Sequence, residues 1–410
     1  MPEQHMERSQ FRLGDASNEQ IANKEALTLP ENKFFEGARN VAQNLRDSGY
    51  EAYLAGGCVR DMVLGVEPKD FDMTTNALPE QVAKLFPRTV MQAAEYGMVR
   101  VLLNGDCYEV STYRGDGGAF SSTKEEDVAR RDFTMNALLI DPLTKEVIDL
   151  VGGMDDIKAG IIRATNDPTK AGDALWLIRA IRFACQFDFD IDPSLYDAIK
   201  THHDNALTLK QERSTNEIRK MLATSMPLHG LQLMKECGLL PLLLPWLDIN
   251  PEMKEQLTRL ESTSDAPAMT TWAIIMADQE VTTLGKTIKL SNKEITDIND
   301  IVKNIEALSS LDEIALRRLA VKNNQQAILA LAKVRFGTGS PETIGFQKII
   351  EDLQTNPLPK LPLITGTDLH SLGIKPGPKF KEILEQVETL ALSRSLSTKE
   401  EAMKYVQSLQ

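Results

Sequence analysis

The sequence predicts an α+β head followed by an all-α body. Three observations carry this. Short β-type runs, interleaved with helical stretches, are confined to the first part of the 410-residue chain. Beyond about Ile162 the strand signal fades and amphipathic helical patterns take over. Aromatic residues are only 6% of a chain that is 42% hydrophobic, with Leu and Ala frequent, which favours helix.

The elements follow in order. Residues 1–30 are polar, without hydrophobic period, and are expected to form a mobile extension. A helix is expected over 34–47, with Phe34, Ala38, Val41 and Leu45 on one face. Tyr53-Leu54-Ala55 reads as a strand running into Gly56-Gly57. Further strands are expected at Phe71-Asp72-Met73, at Thr89-Val90-Met91 and over 99–103. The last pairs with 107–112 through the turn Asn104-Gly105-Asp106. Helices are expected over 173–187, 216–224, 228–237, 294–308, 316–335 and 380–392. The breaker-rich stretch from Asn356 to Pro362 sets off a last module. The expected division is head 31–160, neck 161–225, body 226–355 and tail 356–410.

Composition excludes several function classes. A net charge of −13 is incompatible with a generally cationic nucleic-acid coat, so any RNA contact must be local. The four cysteines form no CxxC pair, which suits reduced thiols of a cytoplasmic protein. No HExxH spacing occurs, and Gly285-Lys286-Thr287 lacks the upstream glycine of a phosphate-binding loop, Glu280 standing there. No apolar run approaches the ~18 residues of a membrane span. The start, Met1 to His5, lacks the basic and apolar regions of a signal peptide. Neither a membrane nor an obligatory protein partner is expected.

The chemistry concentrates in the head. Gly56-Gly57, between a strand and a helix, lets backbone N–H groups approach a phosphate, and Arg60 lies one turn into that helix. Asp70 and Asp72, two apart on an extended run, put two carboxylates on one side. Such a pair calls for cations. Mg²⁺ takes oxygen ligands and leaves positions for phosphate, and two ions can serve both the attacking and the leaving oxygen. Glu109, on a neighbouring strand, is either a third ligand or an edge-strand charge. Arg130-Arg131-Asp132, entering an apolar run, is costly without charged partners, which a triphosphate and ribose could supply.

In this order and spacing, Gly56-Gly57-Cys58-Val59-Arg60-Asp61, Asp70-Phe71-Asp72 and Arg130-Arg131-Asp132-Phe133-Thr134-Met135-Asn136-Ala137-Leu138 resemble a known family. It is the class II tRNA nucleotidyltransferase and bacterial poly(A) polymerase family, with a polymerase-beta-like nucleotidyltransferase head. The likeness is strong from Tyr53 to Phe183 and looser beyond. There Arg213-Ser214-Thr215-Asn216-Glu217-Ile218, Gly238-Leu239-Leu240-Pro241 and Thr365-Gly366-Thr367-Asp368-Leu369 look like the family's neck, body and tail. The resemblance implies that Asp70 and Asp72, with Glu109, hold Mg²⁺. It implies that Gly57 and Arg60 bind the incoming triphosphate, and that Arg131, Asp132 and Asn136 contact triphosphate and sugar. The implied reaction is attack of a tRNA 3′-hydroxyl on the α-phosphate of CTP or ATP, without a template, giving CC, A or CCA. The alternatives are a poly(A) polymerase on other RNAs and a non-catalytic RNA-binding descendant.

Two departures from the family's pattern stand out. Its base-reading helix usually begins Glu-Asp-x-x-Arg; here Gly172 and Trp176 replace the Glu and Arg, while Asp173, Arg179 and Arg182 are retained. A Trp has one N–H donor and a stacking face where an Arg offers a fork, so less sharp nucleotide selection is expected, unless Trp176 packs into the core and Arg179 or Arg182 reads the base. The arm after Tyr113 is short and Gly-rich, a feature of family members that add only CC. For RNA, two basic groups are candidates. One is Arg317, Arg318 and Lys322 on an expected helix; the other is Lys375 and Lys379 around a Gly-rich helix start, resembling the family's tRNA-gripping tail.

Overall fold

The computed structural model describes residues 30, 32–115, 118–170, 174–263, 267–310, 312–375 and 377–409. The expected extension over 1–29, and Gly172 and Asp173 of the base-reading motif, lie outside them. The chain divides into two compact units. One runs to Met221 and takes in His229–Trp246; the other holds Leu222–Leu228 and Leu247–Gln410.

The first unit is built on a mixed sheet. Helix α1, Lys33–Asp47, starts where the Asn32 side chain accepts the Phe35 N–H. It buries Phe35, Ala38, Val41, Ala42 and Leu45. Strand β1, Tyr53–Ala55, leads into α2, Gly57–Val63. Then come β2, Met73–Thr75, α3, Pro79–Leu85, and β3, Thr89–Val90. Strands β4, Met98–Leu103, and β5, Asp106–Thr112, form a hairpin. Its turn holds Asn104 at φ 55° and Gly105 at φ 92°, the left-handed pair whose twist matches a two-residue hairpin. Helix α4, Lys124–Ala129, strands β6, Leu139–Ile140, and β7, Val147–Ile148, and helix α5, Gly153–Ala159, complete the head. The sheet order is β3-β4-β5-β2-β1-β6-β7, antiparallel except for the parallel pair β2–β5.

A parallel two-stranded sheet of β8, Ile161–Ile162, and β9, Asp190–Ile191, flanks helix α6, Leu175–Phe187. Helices α7, Pro193–His202, α8, Gln211–Leu222, and α9, Pro227–Glu236, follow. The architecture is the expected α+β head followed by helices. The strand expected at 71–73 begins instead at Met73. Before it only the Asp72 carbonyl is paired, accepting the Ala55 N–H at 3.0 Å, so the Asp70–Asp72 run is extended but lies at the frayed mouth of the sheet.

Among its described residues the second unit has helices joined by loops and no strand. The segment expected as one helix over 316–335 is two, Glu313–Ala320 and Gln325–Phe336. The polar run Lys322-Asn323-Asn324 breaks it, with Asn324 at the start of the second helix. The last three helices, Gly366–Ser371, Pro378–Leu392 and Lys399–Ser408, share a small core of Ile364, Leu369, Ile383, Val387, Ala402 and Val406.

Candidate active site

The carboxylate pair is placed by an aromatic anchor. Phe71, between Asp70 and Asp72, is buried against Phe34 and Phe35 of α1 at ring distances of 5.2 and 5.4 Å. Phe34 also meets Tyr108, whose hydroxyl donates to the Phe34 carbonyl at 3.1 Å. Tyr108 lies so close that a side chain at position 37 would collide with it, which fixes Gly37. With Phe71 turned inward, extended backbone turns Asp70 and Asp72 to the opposite side.

The register of β2 on β5, Met73 beside Val110, sets Asp72 next to Glu109. Burial, then the charges of Asp70 and Glu109, push the Asp72 carboxyl up to about 6, opposed by Arg131. Glu109 itself is taken by Arg100, directly opposite on β4, at 2.8 Å. Among the described residues no three His, Cys, Asp or Glu side chains are arranged as a metal site, so Glu109 stands beside the pair rather than in a ready triad. Oxygen-only donors, crowded and only partly offset by Arg131, still fit a hard divalent cation at Asp70 and Asp72. The Cys58 thiol lies behind them, donating to the Ala55 and Asp72 carbonyls; burial pushes it up to about 12, so it is inert.

The glycine turn borders the same place. Gly56 has φ 78° and ψ −136°, a conformation essentially reserved for glycine. Its open side faces Arg131, and that of Gly57 faces Arg60, each guanidinium 3.5 Å from where a Cβ would sit. Arg131 donates to Asp127 at 2.8 Å, and its Nε has no hydrogen-bond partner.

Arg60, expected at the triphosphate, is built into the fold beside the turn. It is 7% exposed, its Nε and Nη2 donate to Asp61 and its Nη1 to the Asn136 side chain at 2.7 Å, and it lies over the Phe187 ring. Each of its three nitrogens makes a hydrogen bond within the fold, so it supports the turn, and Nη2 borders Gly57. Asn136 passes the link on, donating to Asp132 at 3.1 Å, and Asp132 pairs with Arg179 of α6 at 2.6 Å. Arg179 is half-buried and its Nε is without a partner.

Arg182, expected with the nucleotide, is instead buried against Glu217 of α8 at 2.6 Å, with Gln186 and the Phe183 ring completing its surroundings. Trp176 is 5% exposed, which matches its packing reading and leaves Arg179 as the outward-facing cation of α6. Sequence reasoning passed over Asp127 and Glu217. A signal existed for Asp127, an acid one helical turn before Arg131, but none for Glu217, which meets Arg182 across 35 residues.

In the second unit the expected basic group is ion-paired within the fold. Arg317, 11% exposed, donates to the Leu392 carbonyl and pairs with Glu313. Arg318 pairs with Glu388, and Lys322, past the helix end, with Asp300. Each of these cations pairs with an acid of its own unit, and Arg318 and Lys322 stay partly exposed. Lys375 and Lys379 are exposed.

Residues 52–163 match the family model of the Poly A polymerase head domain, 188–250 that of the "Probable RNA and SrmB- binding site of polymerase A", and 258–406 that of tRNA nucleotidyltransferase domain 2. The CCA-adding enzyme of Levilactobacillus brevis is 32% identical, over 92% of this chain and 97% of that one. That of Pediococcus pentosaceus is 31% identical, over 90% and 96%. The Bacillus stearothermophilus CCA-adding enzyme, solved in complex with CTP, superimposes with a TM-score of 0.72 at 29% identity, covering 92% of this chain and 98% of that one. The Thermotoga maritima enzyme, complexed with tRNA CCA, shares the fold at a TM-score of 0.60 and 22% identity, covering 96% and 98%. Similarity that runs nearly end to end in both chains, on a head whose carboxylate pair, glycine turn and Arg131 converge, makes this chain a member of the class II tRNA nucleotidyltransferase family, to which the CCA-adding enzymes belong.

Proposed function

We propose that this chain adds CMP and/or AMP to the 3′ end of tRNA, without a nucleic-acid template, using CTP and/or ATP and Mg²⁺. The observation that carries the reading is the meeting of the crowded Asp70–Asp72 pair with the Gly56–Gly57 turn and the Arg131 guanidinium. Asp70 and Asp72 would hold Mg²⁺, which when bound supplies Lewis-acid polarisation at the α-phosphate and charge for the leaving pyrophosphate. Arg131 sets its Nη1 against the Gly56 turn of the phosphate cradle. Asn136, fixed between Arg60 and Asp132, keeps one amide N–H beyond its bond to Asp132 for the sugar. Arg179 is the side chain best placed to meet the base, since Trp176 is packed away and Arg182 is engaged. The exposed Lys375 and Lys379 supply local positive charge for a tRNA backbone in a chain of net charge −13. The test is incubation of the purified protein with tRNA lacking its 3′ end and each nucleotide separately, with product sequencing. One to three defined residues added support the reading; a long A tract points to a poly(A) polymerase, and no addition contradicts it.

A further inference from the structure

Asp127 is only 2% exposed, yet it is a carboxylate, and three donors reach it. Its Oδ2 accepts from Arg131 Nη2 at 2.8 Å and from the Thr74 hydroxyl at 3.1 Å. Its Oδ1 accepts the backbone N–H of Arg114 at 3.1 Å. Each partner leads to the site. Thr74 is on β2, two residues beyond Asp72; Arg114 is at the root of the short arm; Arg131 faces the Gly56 turn.

We infer that Asp127 is a positioning residue, which holds the Arg131 guanidinium against the glycine turn for the triphosphate of the incoming nucleotide. The inference rests on the proposed role of Arg131. Asp127 does not touch the nucleotide, because it is buried and both its oxygens are occupied. It acts by taking Nη2 of the fork, which holds Nη1 against the Gly56 turn, 3.5 Å from where a Cβ would sit. Only a carboxylate can do this. An amide has a single acceptor oxygen, and whichever way it turns, its NH₂ opposes either the Arg114 N–H or the Arg131 fork. A charge-assisted hydrogen bond lost from the fork frees the guanidinium to leave the turn.

The experiment uses the full-length protein, with inorganic tripolyphosphate as a probe that has no base or sugar. Its binding is measured by calorimetry in Mg²⁺, alongside kcat and KM for CTP. Asp127→Asn is expected to weaken tripolyphosphate about tenfold and to raise KM more than it lowers kcat. Arg131→Ala should weaken it at least as much, and the double variant no further than Arg131→Ala alone. Asp127→Glu keeps the charge but pushes the fork by a methylene, so it should weaken the probe several-fold; it serves if Asp127→Asn does not fold. Wild-type binding in the Asp127 variants, with Arg131→Ala impaired, overturns the inference. So does an additional loss in the double variant, which marks a structural buried acid. Wild-type binding in Arg131→Ala overturns instead the role of Arg131 on which it rests.

Discussion

Asp72→Asn should stabilise the metal-free protein at neutral pH while abolishing its activity. In the fold the Asp72 carboxyl is raised from 3.8 to about 6 by burial and by the charges of Asp70 and Glu109. A carboxyl that binds its proton more tightly when folded lends stability below its unfolded value, and that stability is lost as pH rises through the folded value. A shift from 3.8 to about 6 is worth ~2.4 kcal/mol between pH 4 and pH 7, of which roughly half falls between pH 5 and pH 7. Wild-type protein in EDTA should therefore lose a few degrees of Tm across pH 5 to 7, relative to Asp72→Asn. Subtracting the variant removes the opposite trend from acids held below the usual carboxylate range, such as Asp141 and Asp192. Mg²⁺ at pH 7 should raise the Tm of the wild type and not that of the variant. The assay is scanning calorimetry of both proteins over the pH series. Parallel pH profiles would refute the reasoning, because they would mean that Asp72 carries no excess of negative charge.

Two further outcomes are expected. Gly56→Ala forces a Cβ into φ 78°, ψ −136°, costing about 1–3 kcal/mol and disturbing the turn beside Arg131; chemical denaturation and KM for CTP should both register it. Glu217→Ala strands the buried Arg182 with only Gln186 and a ring face, costing about 3–5 kcal/mol; an isosteric Gln that preserved full stability would show the pair to be dispensable.

What was legible in the sequence was local. Tyr53-Leu54-Ala55 into Gly56-Gly57 could be read because a β run and a glycine turn adjoin. The β4–β5 hairpin could be read because Asn104-Gly105 suits a two-residue turn and the flanks alternate. The carboxylate pair was read from spacing, but its anchoring was not, since Phe71 meets Phe34 across 37 positions. The two-residue strands β6 and β7 carry too little pattern to announce themselves. Charge was the least legible property. Arg60, Arg182 and Arg317 look like ligand-ready cations in one dimension. Asn136, Glu217 and the Leu392 carbonyl, which satisfy them, come 76, 35 and 75 residues later. The packing of Trp176 was foreseeable only as one of two options, because an aromatic residue in an amphipathic helix suits a core as well as a stacking surface.

The most direct test of the account is Asp70→Ala, assayed for transfer of labelled CMP to tRNA lacking its 3′ end and, by filter retention, for tRNA binding. Asp70 is exposed, so its removal should spare the fold. The account expects transfer to vanish while tRNA affinity stays within about twofold of wild type, since a carboxylate offers a phosphate backbone no attraction. Retained transfer, or equal loss of transfer and binding, would contradict it.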